Sequence, residues 1–587
     1  MSPSNEISAF SSAELVQSAQ RQIDREIHEY QETIRALRSR RNGLSSIGRL
    51  PPEMLSRIFF FVQSDTFSWI KAVSHICRHW RAVALGCPSL WCSPIFSRPK
   101  WAHEMLKRSK MAPLSIRVDL TYLMPRMLEA VHSTLGQISR IGELDLTTGP
   151  GSIQQILNLS DPAPYLHSLS LSSPVYNREQ LTLPATFLNG EAPRLRKVEL
   201  TRFGIAWDSP LMSNLVHLKI HDPDATARPS SIDELVKALG RMPLLETLEL
   251  DNVLPTIAEG TTISVPSARA SLSHLKHMVV VSRLSVLEVA NTLNHLSYPP
   301  TTSTRISCRA STSNRAGFAA LTPALSNLQS AVKPFRSLRV DFTFSGITIQ
   351  AWSSFFLPSD QTPRPRPFFE LELKWLEFKR PESQPLLASM CKSLPLQRLR
   401  SLSITTAPVI DVSTWLSSFA DLPALQAVRL FGDANQLITT LREDVFLDDV
   451  KQVPQALAVE PPGHGRRASL RNPRQETASG GLFFPALRHL TLEGTDFSEP
   501  ALDTFEETLM ERCERKQDLW SLTLADCSML ESDDVLRLEE IVPEVIWDEI
   551  EQGYTEEEDE DSLADFSEDM SDSEYDAFQG YGYSAYY

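Results

Sequence analysis

Apolar residues recur at three different periods along this chain, and each period predicts a different element. From residue 12 to 41 they fall three and four apart. Val16, Ile23, Tyr30 and Leu37 take one seam position, and Ala13, Gln20, Ile27 and Ile34 take the other. That spacing keeps one stripe on a single long helix. Ser11 and Glu14 fit a capping box at its start, and Asn42-Gly43 predicts its end. Two readings of the seam stay open: a helix packed on its own protein, and a short self-associating coiled coil. The stripe runs for under about four heptads and contains Gln20.

Residues 48–96 carry two helical patterns. Pro51 and Pro52 suit a first helical turn, and Met54, Leu55, Ile58, Phe59 and Val62 follow on one face. Trp69, Ile70, Val73, Ile76, Cys77, Trp80, Val83 and Ala84 form the second stripe, which Gly86-Cys87-Pro88 ends. Two short helices make a very small core, marginal on its own below about 40 to 50 residues, so the unit is expected to offer apolar surface to a partner.

Beyond about residue 114 the period changes to an L-x-x-L-x-L motif. Copies occur at 114–120, 141–146, 166–171, 193–200, 215–220, 243–250, 272–280 and 335–340. Further copies occur at 368–373, 399–404, 423–430, 485–492 and 519–524. Most successive copies end 20 to 33 residues apart, and two gaps of 60 and 62 residues leave room for a hidden repeat or an insertion. One copy means nothing in a leucine-rich chain. Thirteen at related spacing predict a leucine-rich solenoid of short parallel strands, although many copies lack the usual Asn or Cys after the strand. Helical patterns at Ser231–Leu239 and Ala501–Cys513 are expected to cover its other side. Three stretches are expected not to pack: 296–316, 453–481 and the acidic segment from about 552.

The fold class read from these patterns is α/β. An N-terminal helix (1–43) and a small all-α module (44–98) precede an irregular leucine-rich-repeat-like solenoid (99–540). A disordered insertion falls near 453–481, and an acidic disordered tail (541–587) follows.

Charge sharpens this picture. The net charge of −16 sits almost wholly at the end: no Lys or Arg follows Arg537, and residues 538–587 hold 18 acids. Residues 1–537 carry 57 bases against 55 acids, so nothing indicates a nucleic-acid surface. Seven cysteines, an odd number without C-x-x-C spacing, argue against a disulfide framework or a common zinc module. Met1–Phe10 lacks the apolar run of a signal peptide, and no uncharged stretch approaches the ~20 residues that span a bilayer. A soluble protein of the cytoplasm or nucleus is expected.

The most specific pattern is Leu50-Pro51-Pro52-Glu53-Met54-Leu55 leading to Ile58-Phe59, then Val73-Ser74-His75-Ile76-Cys77-Arg78-His79-Trp80-Arg81, then Leu90-Trp91. This resembles the F-box, whose members read L-P-x-E-x-L-x-x-I-F, V-C-x-x-W-R and L-W at the same spacing. The upstream helix and Trp101–Leu120 also resemble the F-box proteins of mushroom-forming fungi. The resemblance implies a non-catalytic substrate adaptor of a cullin–RING ubiquitin ligase. It would bind a Skp-type adaptor, and through it a cullin, with the F-box, and a protein target with the repeat region. It assigns Leu50, Pro51, Glu53, Leu55, Ile58, Phe59, Val73 and Trp80 to that adaptor contact. The linker Gln63–Ser68 is polar where many members carry Leu.

Motifs for chemistry are poor. Gly463-His464-Gly465-Arg466-Arg467-Ala468 fits G-x-G-x-x-A but follows no strand pattern, and no P-loop, H-E-x-x-H or G-x-S-x-G occurs. His75 and His79 lack a second ligand pair at zinc spacing. No cofactor, metal, nucleic acid or membrane is therefore expected. Ser469, Ser562, Ser571 and Ser573 have kinase-like surroundings. The rival reading is a protein-binding scaffold outside any ligase.

Overall fold

Leucine alternating with a polar residue suits a strand covered on one face only, and all thirteen copies form strands of one sheet. The computed structural model describes residues 13–550 except 64–67, 122–123, 149–152, 175–180, 224–226, 258–267, 310–319, 323–324, 326–333, 358–362, 376–382, 407–408, 446–480 and 499. Among the described residues the sheet has sixteen strands. The first eight are β1 (Leu114–Asp119), β2 (Ile141–Thr147), β3 (Ser168–Ser172), β4 (Lys197–Thr201), β5 (His217–His221), β6 (Thr247–Asp251), β7 (His277–Ser282) and β8 (Ser303–Arg309). The others are β9 (Ser337–Thr343), β10 (Gly346–Trp352), β11 (Phe369–Lys374), β12 (Ser401–Thr406), β13 (Ala427–Phe431), β14 (His489–Glu493), β15 (Ser521–Ala525) and β16 (Glu544–Trp547). The strands β8, β10 and β16 are the three that carry no copy of the motif.

Register makes the motif cooperative. Leu146, Leu171, Leu200, Ile220, Leu250, Val280, Ile306 and Leu371 lie in successive cross-strand register. None is more than 1% exposed. Each such side chain contributes about 1.5–3 kcal/mol by leaving water. Before β4–β7 and β12–β15, two backbone N–H groups share one carbonyl of an earlier unit: Val216 and His217 donate to Arg196, and Glu246 and Thr247 donate to Val216. After the strand the chain turns with positive φ at Arg202, Asp222, Asn252, Gly432, Gly494 and Asp526. The first five of those residues donate their N–H to the end of the next strand. These turns do the work expected of the Asn or Cys that many copies lack. At Gly432 the demand is strict: φ is +120°, and a Cβ would sit 2.5 Å from the Thr406 carbonyl oxygen.

Helices Ile232–Gly240 and Ala501–Glu514 fall within one residue of the predicted spans and bury Leu235, Leu239, Phe505 and Leu509 in the same core as the strand leucines. Ser231 Oγ caps the first, accepting from the Glu234 N–H.

Four expectations need correction. The sheet is not parallel throughout: β10 runs antiparallel between β9 and β11, giving the local order β8-β11-β10-β9-β12. A tight β9–β10 hairpin reverses the chain, and its Gly346 cannot carry a Cβ, which would lie 2.3 Å from the Leu373 carbonyl oxygen. The stretch 296–316 was expected not to pack, yet Ser303–Arg309 forms the central strand β8 and buries Thr304, Ile306 and Cys308. Its Ser, Thr and Arg content masks a period-two alternation. The packed region also passes residue 540, because β16 pairs with β15. The long helix, α1 (Ala13–Gly43), has no buried residue, which removes the reading of a helix packed on its own protein.

The 60-residue gap thus hides β8. Across the 62-residue gap β13 pairs directly with β14, so it holds an insertion. Residues 446–480, with the G-x-G-x-x-A match and Ser469, lie outside the described residues. So do Ser11, the segment from 551 and its three serines.

Candidate functional site

The all-α module is built from α2 (Pro52–Val62), α3 (Ser68–Ser74), α4 (Arg78–Gly86) and α5 (Pro99–Arg108). Its second predicted helix is two. The chain is extended at Cys77, with φ −154° and ψ 168°, and the Cys77 thiol accepts from the Trp80 N–H at 3.4 Å. The break leaves His75 in the bend after α3 and His79 on α4. Among the described residues no group of three or more His, Cys, Asp or Glu is placed to hold a metal ion.

An apolar core of Leu55, Phe59, Trp69, Ile70, Val73, Val83, Leu90, Trp91 and Met105 joins these helices. The tryptophans give it shape. Trp69 and Trp91 lie 5.6 Å apart, Trp91 meets Trp101 edge-on at 6.4 Å, and Phe59 packs on Trp80 at 5.1 Å. Trp91 Nε1 donates to the Ala84 carbonyl at 2.8 Å, and the Arg108 guanidinium stands 4.6 Å from the Trp91 ring. Gln63 of the polar linker donates to the Leu90 carbonyl at 3.4 Å, which ties the end of α2 to the closing turn. Linker residues 64–67 lie outside the described residues.

The eight residues assigned to the contact divide by burial. Leu55, Phe59 and Val73 are buried and hold the module together. Leu50, Ile58 and Trp80 are half-buried, and Pro51 and Glu53 are exposed. Only the last five therefore present surface to a partner. The helix face that does so contains two large residues the assignment omitted: Met54 and Phe61, 47% and 89% exposed. With Ile58 they recur at i, i+4 and i+7 on α2, a stripe beside the buried Leu55–Phe59 face. Val62, Ile76 and Leu85 are exposed on the same module. Phe61 was legible in principle as the i+7 residue from Met54. It lies two residues past the Ile58-Phe59 end of the motif.

Elsewhere, charges on the open face of β4–β6 neutralise one another. Lys219 lies 3.6 Å from Glu199 and 3.0 Å from Glu249. His221 bonds Glu249 at 3.2 Å; that bond and Lys219 hold the Glu249 pKa down to about 2. Burial raises the thiol pKa of Cys92, Cys308, Cys391 and Cys527, so these residues act as small core hydrophobes. No described helix is long and apolar enough to cross a membrane.

A comparison with curated proteins gives no match to this chain. A scan against family models does: residues 47–97, the span from the turn before α2 to the residues just before α5, match the family described as F-box-like, and this segment is an F-box-like module.

Proposed function

We propose that this protein is the substrate-recognition subunit of a Skp/cullin/F-box-type ubiquitin ligase. The observation that carries the reading is an F-box-like module with a solvent-exposed apolar stripe, Met54–Ile58–Phe61, whose own core is already complete without it. Exposed stripes at i, i+4 and i+7 suit docking to an apolar groove, here that of a Skp-type adaptor. The sheet that follows is read as an irregular leucine-rich-repeat-like solenoid whose open face receives a protein target. The protein then performs no chemistry. It raises the effective concentration of target at the ligase. Seven free cysteines support a cytoplasmic or nuclear location.

Self-association through α1 belongs to the same proposal. Leu15, Ile23, Ile27, Tyr30, Ile34 and Leu37 are 42–69% exposed on a helix that buries nothing. A second copy running antiparallel sets Ile27 against Leu37 and Tyr30 against Ile34. Its flanking positions then match Asp24 with Arg38 and Glu26 with Arg40, four ion pairs by symmetry. A parallel pair in register sets Gln20 on Gln20 and forms none of these ion pairs.

The test is co-expression of the tagged full chain with a Skp-type adaptor and its cullin. Both are expected to co-purify. Met54→Glu with Phe61→Glu should lower adaptor retention about tenfold or more without changing the melting temperature, because each lost apolar contact is worth ~1.5 kcal/mol or more and both residues face water in the free chain. Undiminished retention by that variant sinks docking through this stripe. Stoichiometric binding of other proteins without cullin favours the scaffold instead.

A further inference from the structure

Where β9, β10, β12 and β13 run side by side, the open face of the sheet carries a cavity of about 710 Å³ lined by Arg339, Arg364, Arg366 and Arg429. From it we infer that the protein binds an anionic peptide segment, bearing a phosphate or a carboxylate, in this arginine cavity. The inference rests on the target-binding reading above and names the chemistry of the target.

Register builds the floor. Arg339 of β9 pairs with Ser403 of β12, and Ser403 pairs with Arg429 of β13. A hydroxyl thus sits between two guanidiniums spaced two strands apart, roughly 9–10 Å at Cα. The flanking acids orient these arginines. Asp341 accepts from Arg339 Nε at 3.0 Å, and Glu493 accepts from Arg429 at 2.8 Å. A guanidinium has five N–H donors, so the Asp341 bond leaves Arg339 able to grip an anion side-on.

The rim comes from Arg364-Pro365-Arg366-Pro367. Trp352 Nε1 donates to the Pro365 carbonyl at 2.8 Å, which pins the segment, and the proline rings restrict its backbone. The Arg364 guanidinium stands 5.6 Å from the Trp352 ring centre, and Arg366 is exposed. Trp352 and the half-exposed Phe431 also line the cavity and give an apolar neighbour of the anion a place to rest.

This grouping contrasts with the face over β4–β6, where Lys197, Lys219 and His221 alternate with Glu199, Glu249 and Asp251 in contact with them. Among the described residues the cavity lining holds four arginines and one acid, Glu493, with Asp341 beside Arg339 on the same strand. A peptide fits better than a polynucleotide. The cavity is a single basic patch, without the stripe of Lys and Arg that tracks a nucleic-acid backbone.

The test uses immobilised full-length protein and three twelve-residue peptide pools, identical except for a central phosphoserine, glutamate or serine. The phosphoserine pool, the glutamate pool or both should be retained at least about tenfold over the serine pool, and retention should fall as salt rises. The pool retained identifies the source of the anion. Arg364→Gln with Arg366→Gln alters only the rim, and Arg339→Gln alters the floor; each should cut retention about tenfold. Lys197→Gln with Lys219→Gln, on β4 and β5, should leave it unchanged. Equal retention of the three pools overturns the inference. So does equal loss in the lysine control, or displacement by a single-stranded oligonucleotide at lower concentration than by phosphopeptide. Adaptor capture, measured on the same preparations, separates the two readings. Capture without peptide retention fails the cavity alone, and peptide retention without capture fails the ligase assignment alone.

Discussion

Arg140 looks in the sequence like an ordinary solvated charge beside a strand motif, and the structure buries it to 8% exposure. Its guanidinium donates to the carbonyls of Lys110 and Ala112 at 2.7 and 3.0 Å and to Ser109 Oγ at 3.1 Å. It thereby satisfies backbone oxygens in the turn that leads from α5 to β1. Burial pulls its pKa below the ordinary arginine value without removing the charge. Arg512 serves the carbonyls of Phe483 and Phe484 in the same way, at 2.9 and 2.8 Å. Arg140→Met keeps the length of the chain but strands those acceptors. The expected cost is about 3 kcal/mol, read as a lower urea midpoint at unchanged slope. A loss under about 1 kcal/mol would show that water replaces the guanidinium.

At the scale of elements, α1 is the segment whose sequence pattern and environment point the same way. It has a heptad seam, and the structure leaves the seam uncovered. Ile27→Glu with Ile34→Glu places four like charges in the centre of the antiparallel pair. Sedimentation velocity should show concentration-dependent dimers of the wild type and a dissociation constant raised about tenfold or more in the variant. A wild type that stays monomeric at every concentration contradicts the pairing. The shorter helices teach a different lesson. Residues 69–84 keep one apolar stripe through an interrupted backbone, since α3 and α4 both turn that stripe inward. Periodicity alone therefore read them as one helix.

At the scale of the molecule, the module and the sheet share α5. Met105 points into the module core, while Ala102 and Leu106 belong to the core under the sheet. The Ser115 N–H donates to the Cys92 carbonyl at 2.9 Å, so the module also covers part of the edge of β1. The module boundary at residue 98 consequently cuts through a core. A fragment 44–112 is expected to melt cooperatively. A fragment 44–98, which lacks Trp101 and Met105, should be less stable by about 3 kcal/mol or more. Thermal melts followed by tryptophan fluorescence compare them, and equal midpoints would show that α5 belongs to the sheet alone.

The sequence by itself determined what local periodicity encodes. Thirteen strands and the motif of the F-box-like module are legible because alternation and 3–4 spacing depend only on neighbours in the chain. The choice among contact residues was not, since Leu55 and Met54 are adjacent and equally apolar, and only packing turns one inward. Nor was the strand Ser303–Arg309 legible, where Thr304 fills a core position that composition assigns to loops. The reversal at β9–β11 and the meeting of Arg339, Arg364, Arg366 and Arg429 were decided by tertiary structure alone. Those arginines span ninety residues of chain, and cross-strand register, a property of the assembled sheet, is what brings them to one cavity.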